Sequence, residues 1–348
     1  MVTALADRTL VAVVLAGGTG TRLYPASRSD RPKQFRSFGG DRSLLARTAD
    51  RVAFADETVV LTREAFADDV PDHAPDADVL VEPAPRDTGP ALAYAAARLR
   101  ERFDDAVLLC VPSDHHVRGD FAGAARRAAR VADDTDGLVA MGVEPTRPAT
   151  GYGYVEPGPE RETATGDAYA PVARFREKPD RGTAADLVAD CYWNAGVFAW
   201  TPDAFLRECR DTPLGPIAAA ADGDAADPAA LRDAVEAVDP VSVDYAVMER
   251  TDDAYVVPAS VEWDDLGSWD ALSRVLETDA AGNAVLGDAL TVDAADNVVA
   301  TDGETHVAVV GAEGLVVAAY GDRVLVAPTD EAQRVREVVE RLREEGAF

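Results

Sequence analysis

Two ammonium groups and two carboxylates, each set in a short motif, are the residues of this 348-residue chain best suited to phosphate chemistry. Lys33 and Lys178 are its only lysines; every other one of its 34 basic residues is arginine. Lysine is normally among the commonest residues, and its compact ammonium is not interchangeable with a planar guanidinium. Lys33 lies in Arg31-Pro32-Lys33-Gln34-Phe35, and Lys178 in Phe175-Arg176-Glu177-Lys178-Pro179. One surviving lysine reads as chance, whereas two inside motifs point to a site. Asp114 follows a buried-looking strand, Ala106 to Val111, in Pro112-Ser113-Asp114-His115. Asp265 lies in Trp263-Asp264-Asp265-Leu266-Gly267-Ser268-Trp269. Open α/β sheets bind ligands beyond the carboxyl ends of their strands. Two distant carboxylates brought together could hold magnesium, a hard cation that keeps waters and binds substrate phosphates. Taken alone, Asp114 reads equally as a helix cap and Asp265 as one of 63 acids.

Ala16-Gly17-Gly18-Thr19-Gly20-Thr21-Arg22 is a glycine turn directly after an apolar run. Such a turn presents backbone N–H groups to an anion. No Gly-Lys-Ser/Thr follows, so it is not a Walker loop. Leu23 stands where a dinucleotide fingerprint needs its third glycine, and Thr62-Arg63 offers no acid for a ribose. Between Arg22 and Arg36 five bases (Arg22, Arg28, Arg31, Lys33, Arg36) face one acid, Asp30. In so acidic a chain this is a cationic island whose expected partner is polyphosphate. The plainer reading is a solvated loop paired with surface acids.

The elements that must position these residues follow from apolar patterning. Leu10 to Leu15 is a continuous β-branched run suited to a strand buried on both faces. Ser43 to Val52 reads as a helix, Thr58 to Leu61 and Val79 to Val81 as strands. Asp87-Thr88 serves as N-cap for an alanine-rich helix through Arg102. Alternating strands and helices predict an α/β protein with a mostly parallel, Rossmann-like sheet flanked by helices. From Gly151 the segments Tyr152-Gly153-Tyr154, Ala173 to Glu177 and Tyr192 to Trp200 read as antiparallel additions. Ala218 to Ala237 reads as a surface helix with turns. Beyond Asp279 come short valine-rich strands and a helix from Asp330 to Glu345. The expected division is therefore a catalytic domain, 1–278, and a β-rich C-terminal segment with a helix, 279–348.

Apolar content of 47% marks an ordinary globular chain, and no apolar run is long enough to span a bilayer. A formal charge of −29 disfavours nucleic acid and anionic membrane as partners. Scattered acids with almost no lysine fit solvation in a salt-rich cytoplasm, where repulsion is screened. Three cysteines (Cys110, Cys191, Cys209) and four dispersed histidines show no metal-ligand spacing. A cytoplasmic location is the expectation.

Leu15-Ala16-Gly17-Gly18-Thr19-Gly20-Thr21-Arg22-Leu23 followed by Pro32-Lys33-Gln34-Phe35 resembles the signature of sugar-phosphate nucleotidyltransferases, and more narrowly of mannose-1-phosphate guanylyltransferases. The resemblance implies a nucleotidyltransferase fold with a short β-helical extension. It implies that Leu15, Gly17, Gly18, Thr19, Gly20 and Thr21 wrap the nucleotide, that Arg22 meets the β- and γ-phosphates, and that Lys33 faces the reacting centre. It assigns the metal to Asp114 and Asp265, with Asp264 as the second choice and His115 as a neighbour orienting the loop. Glu82, Arg86 and Asp87, in Glu82-Pro83-Ala84-Pro85-Arg86-Asp87-Thr88-Gly89, resemble the guanine-holding segment, although the family usually carries Asn and Ala where this chain has Asp87 and Gly89. Gly153, Glu177, Lys178, Asn194 and Gly196 resemble the hexose-phosphate motifs, and Val241 to Glu249 resembles a supporting stretch.

The implied partners are GTP and mannose 1-phosphate. The implied cofactor is magnesium, with manganese or cobalt as alternatives. The implied reaction gives GDP-mannose and pyrophosphate by in-line attack on the α-phosphate. A nucleotidyltransferase for another hexose 1-phosphate or nucleotide, and a non-catalytic regulatory subunit on the same fold, are the rival readings. The C-terminal valine-rich strands are the surface through which a homodimer could pair.

Overall fold

In the computed structural model the described residues are 5, 8–222 and 227–348. They form two compact units that follow packing rather than chain order. One comprises Met1–Gly17, Ala49–Pro112 and Arg118–Glu262; the other comprises Gly18–Thr48, Ser113–Val117 and Trp263–Phe348.

The first unit is built on a mixed sheet. Its strands run in the order Asp78–Val81, Glu57–Thr62, Thr9–Leu15, Ala106–Pro112, Tyr192–Trp200, Leu138–Val143, Ala254–Ala259, Ala168–Arg176 and Tyr154–Pro157. The first four are mutually parallel, with Val13 opposite Cys110 and Val59. Tyr192–Trp200 enters antiparallel on both of its sides. Thus the parallel half expected from the apolar runs is present, and the aromatic segments after Gly151 supply antiparallel strands in the other half, where Leu138–Val143 and Ala254–Ala259 pair parallel with each other.

Val11 to Val14 are all 0% exposed, so this strand is covered on both faces, since successive side chains point oppositely. Val11, Val13, Leu108 and Cys110 share one core cluster with Leu92, Ala96, Leu99, Phe205, Leu206, Cys209, Ile217, Leu231 and Val235. Helices Thr88–Arg102, Pro202–Cys209, Gly215–Ala221 and Pro228–Ala237 therefore cover one face. Helix Phe121–Thr135 packs against the central strands with a buried alanine stripe (Ala124, Ala125, Ala128, Ala129, Ala132) that lets it approach closely. The 218–237 stretch belongs to two surface helices, each burying one apolar face in the core (Ala218 and Ala221; Leu231 and Val235) and leaving its other residues largely exposed. The part of that reading at 223–226 lies outside the described residues. Trp200 stacks on Phe205 at 4.2 Å and 8°, a pairing worth about 1 kcal/mol beyond its burial.

The second unit contains a coiled ladder. Ala284–Leu286, Val298–Thr301 and Leu315–Tyr320 stack in parallel register, and Arg323–Pro328 closes the stack antiparallel. Ala289–Val292 pairs with Val307–Val310 in a second parallel pair. At the corner, Asn297 donates its amide to Asn283 Oδ1 at 2.9 Å and to the Ala312 carbonyl at 3.0 Å. Its own Oδ1 accepts the Leu315 N–H at 2.9 Å. These buried asparagines satisfy the backbone groups that a turning strand leaves unpaired. The terminal helix, Val335–Glu344, buries Val335 and Val339 in a cluster with Leu23, Tyr24, Trp269, Ala284 and Val298.

Candidate active site

The glycine turn passes from the first unit into the second. On the first-unit side, strand Thr9–Leu15 is continued by the Ala16 N–H donating to the Leu61 carbonyl at 2.8 Å, and Thr62 Oγ1 donates to the Ala16 carbonyl at 3.0 Å. These bonds seat Gly17 against Glu82: a β-carbon at 17 would lie 2.6 Å from Glu82 Oε1. Glu82 is only 8% exposed. Burial pushes its carboxyl above the usual range, opposed by Arg63, whose Nε is 3.5 Å away. A buried acceptor beside bare backbone is suited to receive N–H donors of a flat base.

Asp87 adopts φ 70° and ψ 179°, a backbone region that residues other than glycine seldom enter, and its Oδ1 accepts the Thr88 N–H at 2.7 Å, capping helix Thr88–Arg102. A β-carbon at Gly89 would meet the Val241 carbonyl at 2.7 Å, so glycine suits the local spacing where relatives of the resembled family carry alanine. Arg86 is turned to the Glu236 carbonyl at 2.6 Å.

On the second-unit side, Gly20 leads into a short 3-10 turn, Thr21–Leu23, which leaves Leu23 buried and Arg22 exposed. Ser27 Oγ donates to the Thr19 carbonyl at 2.5 Å and holds the turn closed. Lys33 begins a second short turn, Lys33–Phe35, and is only 3% exposed. Its Nζ donates to Asp114 Oδ2 at 2.9 Å and to the Asp265 carbonyl at 2.8 Å. One ammonium therefore joins the two acid-bearing motifs, which lie 81 and 232 residues away from it. Burial would push the Asp114 carboxyl up, but Lys33, His115 and Arg22 together hold it below the ordinary range, so it is ionised at neutral pH. The basic island is only partly free for a ligand: Arg28 pairs with Asp322 at 3.2 Å, and Arg36 Nε donates to the Ala26 carbonyl at 3.0 Å.

Asp264 is committed: Oδ1 accepts the Leu266 N–H at 2.9 Å and Oδ2 accepts from Arg274 Nε at 2.8 Å. Asp265 Oδ1 accepts the Gly267 N–H at 2.9 Å. The Trp263 indole N–H donates to His115 Nδ1 at 3.1 Å, which fixes the ring with Nε2 3.9 Å from Asp114 Oδ1. Among the described residues, no three His, Cys, Asp or Glu side chains cluster as a metal cage. Asp114 and Asp265 supply only oxygen donors. That set suits a hard divalent cation which keeps waters and phosphate oxygens as its other ligands, and it does not suit structural zinc.

The remaining expected residues meet in the first unit. Asn194, 7% exposed, sits where strand Tyr192–Trp200 breaks register between Asn194 and Phe198, with Gly196 at φ 65°. The Asn194 N–H donates to the Gly153 carbonyl at 2.8 Å. A β-carbon at Gly153 would lie 2.5 Å from Glu177 Oε2, so these two residues touch. Lys178 Nζ pairs with Glu177 Oε1 at 2.5 Å, and the Lys178 N–H donates to the Tyr152 carbonyl at 3.2 Å, which helps to hold its positive φ of 47°.

Asp244 joins this group, although the sequence motifs do not name it. Its Oδ1 accepts the Asn194 amide N–H at 2.8 Å, and it opens a π-helical turn, Asp244–Met248, a geometry frequent at functional sites. The available signal is an acid within the apolar stretch Val243, Ala246, Val247 and Met248. Motif resemblance marks the stretch as support, without its carboxylate.

Residues 11–282 match the nucleotidyl transferase family, and residues 287–342 match the mannose-phosphate isomerase/GMP-like β-helix domain. The chain is 38% identical over 352 residues to the xanthan biosynthesis protein XanB of Xanthomonas campestris, covering 96% of this chain and 73% of that one. It is 36% identical over 354 residues to a mannose-1-phosphate guanylyltransferase of Escherichia coli, covering 96% and 74%. A crystal structure from Thermus thermophilus, described as a mannose-1-phosphate geranyltransferase, superposes with TM-score 0.87 at 35% identity over 96% of this chain and 99% of that one. With a glycine turn leading to a buried lysine and an N-terminal match spanning most of its length, the chain belongs to the nucleotidyl transferase family.

Proposed function

We propose that this chain transfers GMP from GTP to mannose 1-phosphate, giving GDP-mannose and pyrophosphate. The observation that carries the reading is Lys33, a buried ammonium held by Asp114 and Asp265 at the end of a glycine turn. Gly17 to Thr21, with Leu15, hold the nucleotide backbone-first, and Glu82 accepts from guanine N–H groups. Asp87 shapes the base segment through its cap, and Arg86 lies beside it. Arg22 and Lys33 offset charge on the phosphates. Glu177 and Asn194 take sugar hydroxyls, Lys178 takes the sugar phosphate, and Gly153 and Gly196 let the ring approach backbone.

No side-chain base is needed for the attack, because a phosphate monoester with a second pKa near 6 is already largely dianionic at pH 7. Catalysis is positioning and charge neutralisation. Asp114 and Asp265 would hold a magnesium ion, and when bound it would supply further neutralisation of phosphate charge. The functional division we propose is sequential: 1–278 carries the chemistry and 279–348 is an accessory segment. Its exposed Val310, Val324 and Val326 are the surface by which two copies would pair.

Among the described residues no helix is long and apolar enough to cross a membrane, and we propose a cytoplasmic, salt-adapted enzyme. The deciding experiment is pyrophosphate release at high salt from GTP with mannose 1-phosphate against glucose 1-phosphate, and from UTP and dTTP. A clear preference for another sugar phosphate or nucleotide would overturn the assignment. Absence of turnover with every pair, alongside a co-purifying partner protein, would point to the regulatory-subunit reading.

A further inference from the structure

The sugar-side cluster holds more acid than its ammonium can offset. Glu177 and Asp244 contribute two carboxylates and Lys178 one ammonium, which is paired to Glu177 at 2.5 Å. Asn194 is fixed at both ends: its amide N–H donates to Asp244 Oδ1 at 2.8 Å, and its Oδ1 accepts the Gly196 N–H at 3.0 Å. The amide can then offer a ligand its second N–H and the second lone pair of Oδ1. The groups acting on Asp244 come from each element packed around it. Asn194 is on strand Tyr192–Trp200. Glu177 and Lys178 follow strand Ala168–Arg176. Tyr245 is its neighbour on the helical turn, and Glu249, at that turn's end, accepts the Glu177 N–H at 2.8 Å. Burial and then the Glu177 charge push the Asp244 carboxyl up to about 7, opposed by Lys178 and Asn194. Partial desolvation opposes the charge of the half-exposed Lys178 ammonium, but Glu177 outweighs it and holds the group above its usual range.

We propose that Asp244 is the positioning residue of this subsite, and that the Asp244–Glu177 pair takes up a proton when the phosphate of a hexose 1-phosphate engages Lys178. The proposal rests on the sugar-phosphate reading of these residues. In the ligand-free protein the ammonium offsets Glu177. A dianionic phosphate that draws Lys178 to itself leaves two mutually repelling carboxylates with less opposing charge. Such a pair titrates jointly and retains a proton that either acid alone would lose. The proton comes from solvent, and Asp244, already the more raised, holds it on Oδ2 while Oδ1 keeps the Asn194 bond.

The test is calorimetric titration of mannose 1-phosphate into the full chain, presaturated with magnesium and a non-hydrolysable GTP analogue, at pH 7.5. Buffers of differing ionisation enthalpy report the protons exchanged. The ligand itself contributes only about 0.03 proton at that pH, given its second pKa near 6. Uptake of roughly 0.3–0.8 proton is expected for a group starting near neutrality; binding with no uptake overturns the proton coupling. Asp244→Asn, whose amide oxygen can still accept from Asn194, should bind within about threefold of wild type with uptake abolished. Asp244→Ala should raise KM for mannose 1-phosphate about tenfold while leaving KM for GTP unchanged. An unchanged sugar-phosphate KM overturns the positioning role. Failure of every hexose 1-phosphate to bind wild-type protein would instead remove the sugar-phosphate reading itself, an outcome distinct from binding without proton uptake.

Discussion

Gly20 and Lys33 constrain each other. Gly20 sits at φ 60°, and a β-carbon added there would lie 2.4 Å from the Lys33 β-carbon. The turn residue must therefore lack a side chain for two independent reasons, left-handed backbone and direct contact with the lysine stem. Alanine at 20 would meet strain of about 1–2 kcal/mol and an overlap costing about 1–3 kcal/mol more. Because the overlap is with a β-carbon, the lysine cannot swing aside without moving its backbone. We expect Gly20→Ala to lose about 2–5 kcal/mol of stability and most turnover. Gly18→Ala, at an exposed glycine with nothing within 4 Å of an added β-carbon, should stay within about 0.5 kcal/mol. Urea melts on both variants, and pyrophosphate release on Gly20→Ala, check this; equal stability of the two variants would refute it.

Lys33→Arg conserves charge and should still fail. The Nζ reaches Asp114 and the Asp265 carbonyl together at 2.9 and 2.8 Å from a site only 3% exposed. A guanidinium is planar, larger and donates in a fixed fork, so it cannot point at both acceptors without pushing the two motifs apart. A fall in kcat of about 100-fold or more is expected, the scale on which misplacement near a reacting centre costs rate. Wild-type turnover in this variant would remove Lys33 from the chemistry.

How much of this is legible in the sequence depends on how local each feature is. Leu10 to Leu15 reveals its strand because a two-sided burial pattern is written in consecutive residues, and Asp87 reveals its cap because the helix starts at the next position. The meeting of Lys33 with Asp114 and Asp265 is a tertiary fact over 81 and 232 residues, and spacing alone contains no such distance. Motif resemblance singles out the three residues; the fold brings them to one ammonium. Asp244 escapes a sequence reading because its role is defined by Asn194, 50 residues earlier. The Gly215–Ala221 helix reads as surface because its alanines look neutral in sequence, although Ala218 and Ala221 are buried.

Gly153→Ala tests the sugar side without removing a polar group. The added β-carbon would lie 2.5 Å from Glu177 Oε2 and 3.3 Å from the Asn194 β-carbon. Gly153 has no positive φ, and the nearer atom ends a flexible side chain, so the carboxylate can rotate away and stability should fall by less than about 1.5 kcal/mol. Once rotated, Glu177 no longer faces a sugar hydroxyl. KM for mannose 1-phosphate should rise about tenfold, with KM for GTP unchanged. Equal KM values for both substrates in mutant and wild type would show that Glu177 does not contact the sugar.

Acid sensitivity should trace in part to Asp167. Its carboxylate takes Arg130 in a two-point contact, Nε to Oδ2 and a terminal guanidinium nitrogen to Oδ1, each at 2.6 Å, and accepts Thr165 Oγ1 at 2.9 Å. The Arg130 bond pulls the Asp167 carboxyl below its ordinary range, with burial opposing and Thr165 assisting. A carboxyl depressed in the folded state stabilises fully above its unfolded pKa of about 3.9 and loses that contribution as pH falls through the folded value. Asp167→Asn keeps the shape but removes the charge from the Arg130 contact, which should cost about 2 kcal/mol at pH 7. The gap between variant and wild type should hold from pH 7 to about 5 and narrow steadily below about 4. Urea unfolding of both proteins at pH 7, 5 and 3 measures it, and a gap unchanged at pH 3 would show that the charge of Asp167 contributes nothing to stability.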